Sequence, residues 1–283
     1  MQLLLLCFAF HHSLQSPKLL PRYVELLCEE LAITGRIASE LGLRLETVYY
    51  GGGTPTTLAA EDLMRLHAAV EENFDLSTMR EYTVEAGRPD TVTQERLEAL
   101  KRMGVTRISI NPQTFNDEVL QEIGRSHTAQ CAQEAFLLAR AHGFSNINMD
   151  LIAGLPKDTP ASFCQTLDRT LSLDPESVTV HTLALKRSST LVTNQQRAGD
   201  ASLTGDMLAS AQAALTAAGH FPYYMYRQSR CLGKSGKCRL VQKGARRALQ
   251  YFYDGGMPYR ARRRRGGRNK AQSTAWRSDR TYF

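Results

Sequence analysis

Short apolar runs alternate with amphipathic stretches between about residues 17 and 227. The runs are rich in β-branched and aromatic residues and end in glycine, proline or polar residues, which predicts β-strands at 47–50, 81–84, 107–110, 146–152 and 177–182. Between them apolar residues recur at helical spacing, as Leu63, Leu66, Val70 and Phe74 do. This spacing predicts helices at 60–74, 93–103, 129–142, 162–173 and 204–218, preceded by a long helix at 17–41.

The strands recur about every 25 to 40 residues, which is the spacing of βα units in a parallel sheet. Periodicity fits a doubly wound sheet and a βα barrel equally well. Polar or glycine-rich positions follow the predicted strands at 51–54, Glu85, Gln113 and Asp150. Because parallel βα folds bind ligands at the carboxyl ends of their strands, this edge is the predicted ligand site.

The glycine-rich turn after the first of these strands reads Gly51-Gly52-Gly53-Thr54-Pro55-Thr56. Three glycines allow the backbone to approach a ligand closely, although an ordinary tight βα turn has the same composition. The turn is neither a dinucleotide fingerprint nor a phosphate-binding Walker loop, because GxGxxG and Gly-Lys-Ser/Thr are both absent.

Five segments carry a resemblance to a known family: GGGTPT, VEAGRPD, ISINPQTFND, IGRSHT and MDLIAGLP. In this order and spacing they resemble the radical S-adenosylmethionine (SAM) proteins of the oxygen-independent coproporphyrinogen III oxidase type, most closely the coproporphyrinogen dehydrogenase (HemZ) branch. The resemblance covers about residues 17–227. It implies an α/β fold, a partial (β/α)6 TIM-like barrel with its cofactor at the C-terminal mouth. Here the first strand is expected to be truncated and a basic, irregular C-terminal tail to follow.

The resemblance also implies which residues bind SAM. Gly52, Gly53 and Thr54 would contact its amino-acid end and Arg125 its carboxylate, which suits the planar fork of a guanidinium. The ammonium, ribose and adenosine of SAM would contact Glu85, Gln113 and Asp150, and Ala184 would touch the adenosine through its backbone. Without the motifs, Arg125 reads as a solvated helix-end charge, and Glu85 and Asp150 as helix-capping or surface residues.

The family's chemistry requires a 4Fe–4S cluster held by CxxxCxxC, and this sequence contains no such triad. Cys7 stands at the third cysteine's place as the candidate metal ligand, Leu4 stands at the second, and the first would precede Met1. One thiolate does not replace three, so we expect no catalytically competent cluster. Residues 1–16 are accordingly interpreted as a remnant of the cluster loop.

Charge separates the C-terminal segment from the rest of the chain. Residues 227–283 hold 17 of the 35 Lys and Arg residues but only two of the 28 Asp and Glu residues, so 1–226 carry a net charge of −8. Few aliphatic residues recur periodically there, which predicts a disordered or out-of-frame tail at 227–283 after a barrel domain at 17–226. Such a tail would bind nucleic acid non-specifically, through its positive charge. A zinc module for specific binding is not expected, because Cys231 and Cys238 lack the second pair of ligands that it needs.

The six scattered cysteines fit a reducing cytoplasm. The apolar run at 3–10 is too short to span a membrane, and no Lys or Arg precedes it as in a signal peptide. We therefore expect a cytoplasmic protein without membrane association. His127, His142 and His181 show no metal-ligand spacing and are interpreted as structural or surface residues.

The family's activity is the oxidative decarboxylation of coproporphyrinogen III to protoporphyrinogen IX, with SAM and a 4Fe–4S cluster as cofactors and an electron donor as partner. Without the triad this chain is expected to be inactive. One alternative is a haem chaperone of the same family, because Arg125-Ser126-His127 resembles part of that branch's haem-associated motif, although Gly124 replaces an expected Asn. Another is a non-functional fragment with a basic tail that binds nucleic acid non-specifically.

Overall fold

One mixed sheet organises the protein in a computed structural model that describes residues 3–9, 19–183, 201–226 and 237–242. Its strands are β1 Leu3–Ala9, β2 Arg44–Gly51, β3 Glu81–Ala86, β4 Arg107–Gln113, β5 Ile147–Ala153, β6 Ser177–Thr182, β7 Phe221–Tyr226 and β8 Lys237–Val241. Strands β1 to β6 are parallel and pair in chain order, whereas β8 lies antiparallel between β6 and β7. The sheet remains open, which confirms the predicted partial barrel.

Helices connect the parallel strands, as a parallel sheet requires. They are α1 Leu20–Glu40, α2 Ala60–Asn73, α3 Gln94–Arg102, α4 Asp117–Glu122, α5 Ala129–Ala141, α6 Pro160–Ser172 and α7 Ala201–Ala217. Thr93, Asn116, Thr128 and Thr159 begin four of them, and each side chain accepts a backbone N–H of the first turn. Each such cap contributes about 1 kcal/mol. None of the helices within the described ranges has the length and hydropathy of a membrane span.

The two faces of strands β2 to β6 differ in polarity. One face presents apolar residues such as Val48, Val84, Ile108 and Met149, which pack with helix residues including Leu63 in a common core. Burying an aliphatic side chain of this size stabilises the fold by roughly 1.5–3 kcal/mol. The helices therefore cover this face, and the opposite face lines the interior of the open barrel.

The interior face is polar and hydrogen-bonded. Arg107 of β4 is only 1% exposed, and its guanidinium donates to Ser177 Oγ at 2.6 Å and to Asn146 Oδ1 at 3.2 Å. The side chain of Asn148 on β5 donates to Ser109 Oγ at 2.8 Å. Polar groups in a buried place need such partners, so this face forms a cross-linked lining from β4 to β6.

Both ends of the sheet differ from the expectation. Leu3–Ala9 forms a seven-residue strand along β2, so residues 3–9 are not the loop remnant that the sequence suggested. Lys237–Val241 pairs with β6 and β7, so the segment after residue 226 contains a sheet strand and is not irregular throughout. This five-residue strand was not predicted, because the segment was interpreted from its total charge and not from its local residue pattern. Residues 243–283, which carry the arginine run, lie outside the described residues.

Candidate functional site

The carboxylate of Glu85 is held at the junction of β2 and β3. The backbone N–H of Gly52 donates to its Oε2 at 3.1 Å, and the Tyr49 hydroxyl donates to its Oε1. Gly52 has a φ of +100°, in the left-handed region that favours glycine. At Gly51 a Cβ atom would lie 2.9 Å from Glu85 Cδ and closer still to the Tyr49 ring. The glycines therefore allow the backbone and the carboxylate to approach each other.

Thr54 begins the short 3₁₀ turn Pro55–Thr57 that follows the glycines. Its carbonyl accepts the N–H of Thr57 at 2.9 Å and the Thr57 hydroxyl at 2.7 Å, which closes the turn. The Thr56 hydroxyl lies 2.6 Å from that of Thr91 in the loop after β3. These bonds fix the glycine-rich loop against its neighbour.

Arg125 lies in the connection between α4 and α5, where a Schellman motif holds its backbone. Gly124 donates to the carbonyl of Gln121 at 3.0 Å, and Arg125 donates to that of Leu120 at 2.9 Å. Gly124 has a φ of +71°. Asparagine is the other residue that commonly tolerates this conformation, so the glycine at 124 preserves the backbone that an Asn there would give.

The guanidinium of Arg125 is half-buried and has no hydrogen-bond or ion-pair partner among the described residues. Burial, together with the nearby charge of Arg88, lowers its pKa, and Asp90 opposes this effect. A guanidinium remains charged in any protein environment. An unpaired, partly desolvated cation at the ligand edge of the sheet is suited to an anionic group.

Hydrogen bonds of Ser126 link the connection between α4 and α5 to the loop after β3. Arg88 donates to both carboxylate oxygens of Asp90, at 3.1 and 2.5 Å, and its Nη2 donates to Ser126 Oγ at 3.1 Å. Burial raises the pKa of Asp90, but the hydrogen bond and charge of Arg88 outweigh it and leave that pKa below its ordinary value. Asp90 is therefore ionised at neutral pH.

His127 points inward from this connection. It is 4% exposed, and its Nε2 lies 3.3 Å from the carbonyl oxygen of Pro112. Burial lowers its pKa, which the hydrogen bond to Pro112 partly opposes. The side chain is thus a neutral structural histidine, in agreement with its interpretation from the sequence.

We expect the chain to lose stability as pH falls below 6.5, the ordinary histidine pKa. His127 and His67 both have lowered pKa values because of burial, so below that pH the unfolded chain takes up protons that the folded chain does not. The free energy of unfolding should fall by up to about 1.4 kcal/mol per pH unit for each histidine. Urea unfolding between about pH 7.5 and 5.5 measures this slope, and His127→Gln should reduce it. An unchanged slope in the variant would contradict this assignment.

Gln113 and Asp150 lie on the neighbouring strands β4 and β5. Gln113 ends β4 and is buried, with a φ of +68° where the pairing with β5 shifts register. Asp150 accepts from Asn148 Nδ2 at 2.7 Å, and its Oδ2 lies 3.5 Å from His181 Nε2. Asp150 stands three residues before the end of β5 rather than at its tip, and it shares the polar interior face with Asn148, two residues earlier on the strand.

Comparison with known proteins now identifies the family. Residues 7–170 match the family model of the radical SAM superfamily. The chain belongs to the radical SAM superfamily. It is 43% identical over 208 residues to the oxygen-independent coproporphyrinogen-III oxidase-like protein HemZ of Bacillus subtilis. This similarity covers 72% of this chain and 41% of that protein. It is also 38% identical over 156 residues to the heme chaperone HemW of Lactococcus lactis, covering 55% of this chain and 41% of HemW.

The fold agrees with this assignment. Coproporphyrinogen III oxidase (HemN) of Escherichia coli, a radical SAM enzyme, superposes with a TM-score of 0.71 and 26% identity, covering 90% of this chain and 58% of HemN. Elp3 of Methanocaldococcus infernus shares the fold at a TM-score of 0.55 and 13% identity, over 75% of this chain and 53% of Elp3. The chain spans about two fifths of the length of its sequence relatives HemZ and HemW.

The residues of this radical SAM chain fit the amino-acid end of SAM. A carboxylate at Glu85 and a guanidinium at Arg125 that has no partner among the described residues complement an ammonium and a carboxylate, and the glycines leave room for close approach. Ala184 lies outside the described residues. The roles of Gly52, Gly53, Thr54, Glu85, Gln113, Arg125 and Asp150 in SAM binding stay predictions.

The same residues do not fit a 4Fe–4S cluster. Cys7 lies inside β1, opposite Tyr49 in the parallel pairing, rather than in the loop after the strand. Cys28, Cys131 and Cys164 lie apart on α1, α5 and α6. Among the described residues no three His, Cys, Asp or Glu side chains group as a metal site. Metal ligation by Cys7 stays a prediction.

Sequence reasoning missed several contributors to the site. Tyr49 stands two residues before the recognised glycine-rich turn, so its position was a usable signal. Arg88, Asp90 and Ser126 are separated by up to 38 residues, and only the fold brings them together.

Proposed function

We propose that this chain is a SAM-binding domain of the oxygen-independent coproporphyrinogen III oxidase type that does not assemble the family's cluster from its own cysteines. The half-buried guanidinium of Arg125, which has no partner in the described structure, is the observation that carries the proposal. The HemZ relative and the fold shared with HemN support the family branch.

Each proposed contact has a physical basis in this chain. Arg125 would hold the carboxylate of SAM, because a guanidinium and a carboxylate form paired, charge-assisted hydrogen bonds. Glu85 would accept from the ammonium, since Tyr49 and Gly52 already fix the position of its carboxylate. Gln113 and Asp150 would contact the ribose and adenosine from β4 and β5. The backbone of Gly53 and Thr54 would border the amino-acid end.

In this family SAM bound to a reduced cluster supplies one-electron chemistry for hydrogen abstraction from the substrate. The cysteines whose side chains the structure describes do not group as ligands of that cluster, so no catalytic step is assigned to these residues. A porphyrinogen remains the proposed ligand class of the barrel interior. An electron donor and a cytoplasmic location likewise remain proposals based on the family.

The haem-chaperone alternative is supported by the HemW relatives, at 38% and 40% identity. The histidine of the haem-associated motif, however, corresponds to His127, which is buried and bonded to the Pro112 carbonyl. A haem iron would reach His127 only if this connection opened. Gly124 does not discriminate between the two functions, because it preserves the backbone that Asn would adopt. The SAM-binding function therefore agrees better with the geometry.

Replacing Arg125 by alanine should weaken SAM binding about 10- to 100-fold, since hydrogen bonds to charged groups contribute roughly 1.5–3 kcal/mol. Arg125→Lys should be intermediate because it keeps the charge but loses the planar fork. Equilibrium dialysis with labelled SAM measures the affinity, and Arg36→Ala, an exposed change on α1, is the matched control. The proposal fails if Arg125→Ala binds SAM as tightly as the unchanged chain does.

A further inference from the structure

The carboxylate of Asp90, in the loop after β3, is paired with the guanidinium of Arg88 and contacts the connection after α4 that carries Arg125. Arg88 occupies both oxygens of Asp90 through its Nε and Nη2, at 3.1 and 2.5 Å. Ser126, the residue next to Arg125, has its Oγ 3.4 Å from Asp90 Oδ2 and 3.1 Å from Arg88 Nη2. The carboxylate of Asp90 therefore lies beside the segment that carries Arg125, but it is paired with Arg88.

Competition between the two guanidiniums follows from this arrangement. Asp90 and Arg88 are both about one-third exposed, so their pairing is only partly screened by water. Asp90 is near enough to Arg125 to affect its pKa, in the direction opposite to the effects of burial and of Arg88. Without Arg88, Asp90 could turn to Arg125, the guanidinium of this connection on which its charge already acts. A guanidinium already paired with an internal carboxylate is no longer free to bind the carboxylate of a ligand.

We propose that Arg88 is a positioning residue that keeps Asp90 occupied and thereby leaves Arg125 available for the carboxylate of the ligand. The inference rests on the proposed function, because it takes SAM as the carboxylate-bearing ligand. It assigns a specificity role to the pair of Arg88 and Asp90, which are not among the residues proposed to contact the ligand. Ser126 completes the pair by holding it against the Arg125 connection.

The test compares SAM with its decarboxylated form, which keeps the ammonium, sulfonium and adenosine but lacks the carboxylate. Arg88→Met should weaken SAM binding about tenfold, because the released Asp90 pairs with Arg125. Affinity for decarboxylated SAM should change by less than about twofold. The double variant Arg88→Met/Asp90→Asn should regain the SAM affinity, because the competing carboxylate is then neutral. Asp168→Asn, an exposed change on α6, is the matched control for the loss of one negative charge.

The titrations distinguish a failure of this inference from a failure of the proposed function. Equal weakening of both ligands by Arg88→Met, or a double variant as weak as the single one, would show a merely structural role and overturn the inference. If Arg125→Ala weakens SAM binding but Arg88→Met does not, only the inference fails. If the unchanged chain binds SAM and decarboxylated SAM equally, the proposed use of Arg125 fails and the inference with it. Circular dichroism of each variant verifies that it is folded.

Discussion

Arg107→Ala is expected to destabilise the chain by roughly 3 kcal/mol or more, a large part of the 5–15 kcal/mol that stabilises a typical domain. The guanidinium is 1% exposed and donates to Asn146 and Ser177 across the interior face of the sheet. Its removal leaves a cavity and deprives buried acceptors of their donor, and each unsatisfied group costs about 1–3 kcal/mol.

Chemical denaturation of the full chain measures this effect. Arg102→Ala is the matched control, because Arg102 lies five residues before Arg107 in the chain but is exposed at the end of α3. Its free energy of unfolding should stay within about 0.5 kcal/mol of the unchanged chain. If the two variants are equally stable, the polar interior does not hold the barrel strands together.

Gly51→Ala is expected to weaken SAM binding at least tenfold, the loss of one charge-assisted hydrogen bond. The added Cβ would lie 2.9 Å from Glu85 Cδ and against the Tyr49 ring. Glu85 cannot move aside without losing the bonds from Gly52 and Tyr49 that position it. The substitution should therefore displace the carboxylate that is proposed to receive the ammonium.

Gly205→Ala is the appropriate comparison for this variant. A Cβ there meets no atom within 4 Å, and Gly205 lies in α7, where alanine favours the helix by about 1 kcal/mol. That variant should bind SAM normally and unfold at a higher temperature. Unchanged SAM affinity in Gly51→Ala would mean that Glu85 does not contact the ligand.

The alternation of apolar and polar runs was sufficient to predict the central elements, because most strands of a parallel sheet carry their own periodic signal. Strand β6 was predicted with the bounds that the structure gives it, and helix α2 differs by one residue. The sequence also predicted that Glu85 lies beside the glycine-rich turn. The hydrogen bond from Gly52 to Glu85 confirms this proximity.

Other features could not be predicted locally. Arg107 and Ser109 alternate with isoleucines in β4, which indicates one polar face, but their partners on β5 and β6 are specified only by strand order. The alternating pattern Lys-Cys-Arg-Leu-Val at 237–241 was overlooked because net charge was taken over the whole segment. Long-range pairs such as Arg88 and Ser126 depend on the fold.

The central claim is that this chain binds SAM through its own side chains and independently of an iron–sulfur cluster. Titration calorimetry with SAM, before and after anaerobic reconstitution with iron and sulfide, tests it most directly. We expect one saturable site with the same affinity in both states, no sulfur-to-iron charge-transfer absorbance and no 5′-deoxyadenosine under reducing conditions. SAM binding that appears only after reconstitution, with reductive release of 5′-deoxyadenosine, would contradict the account.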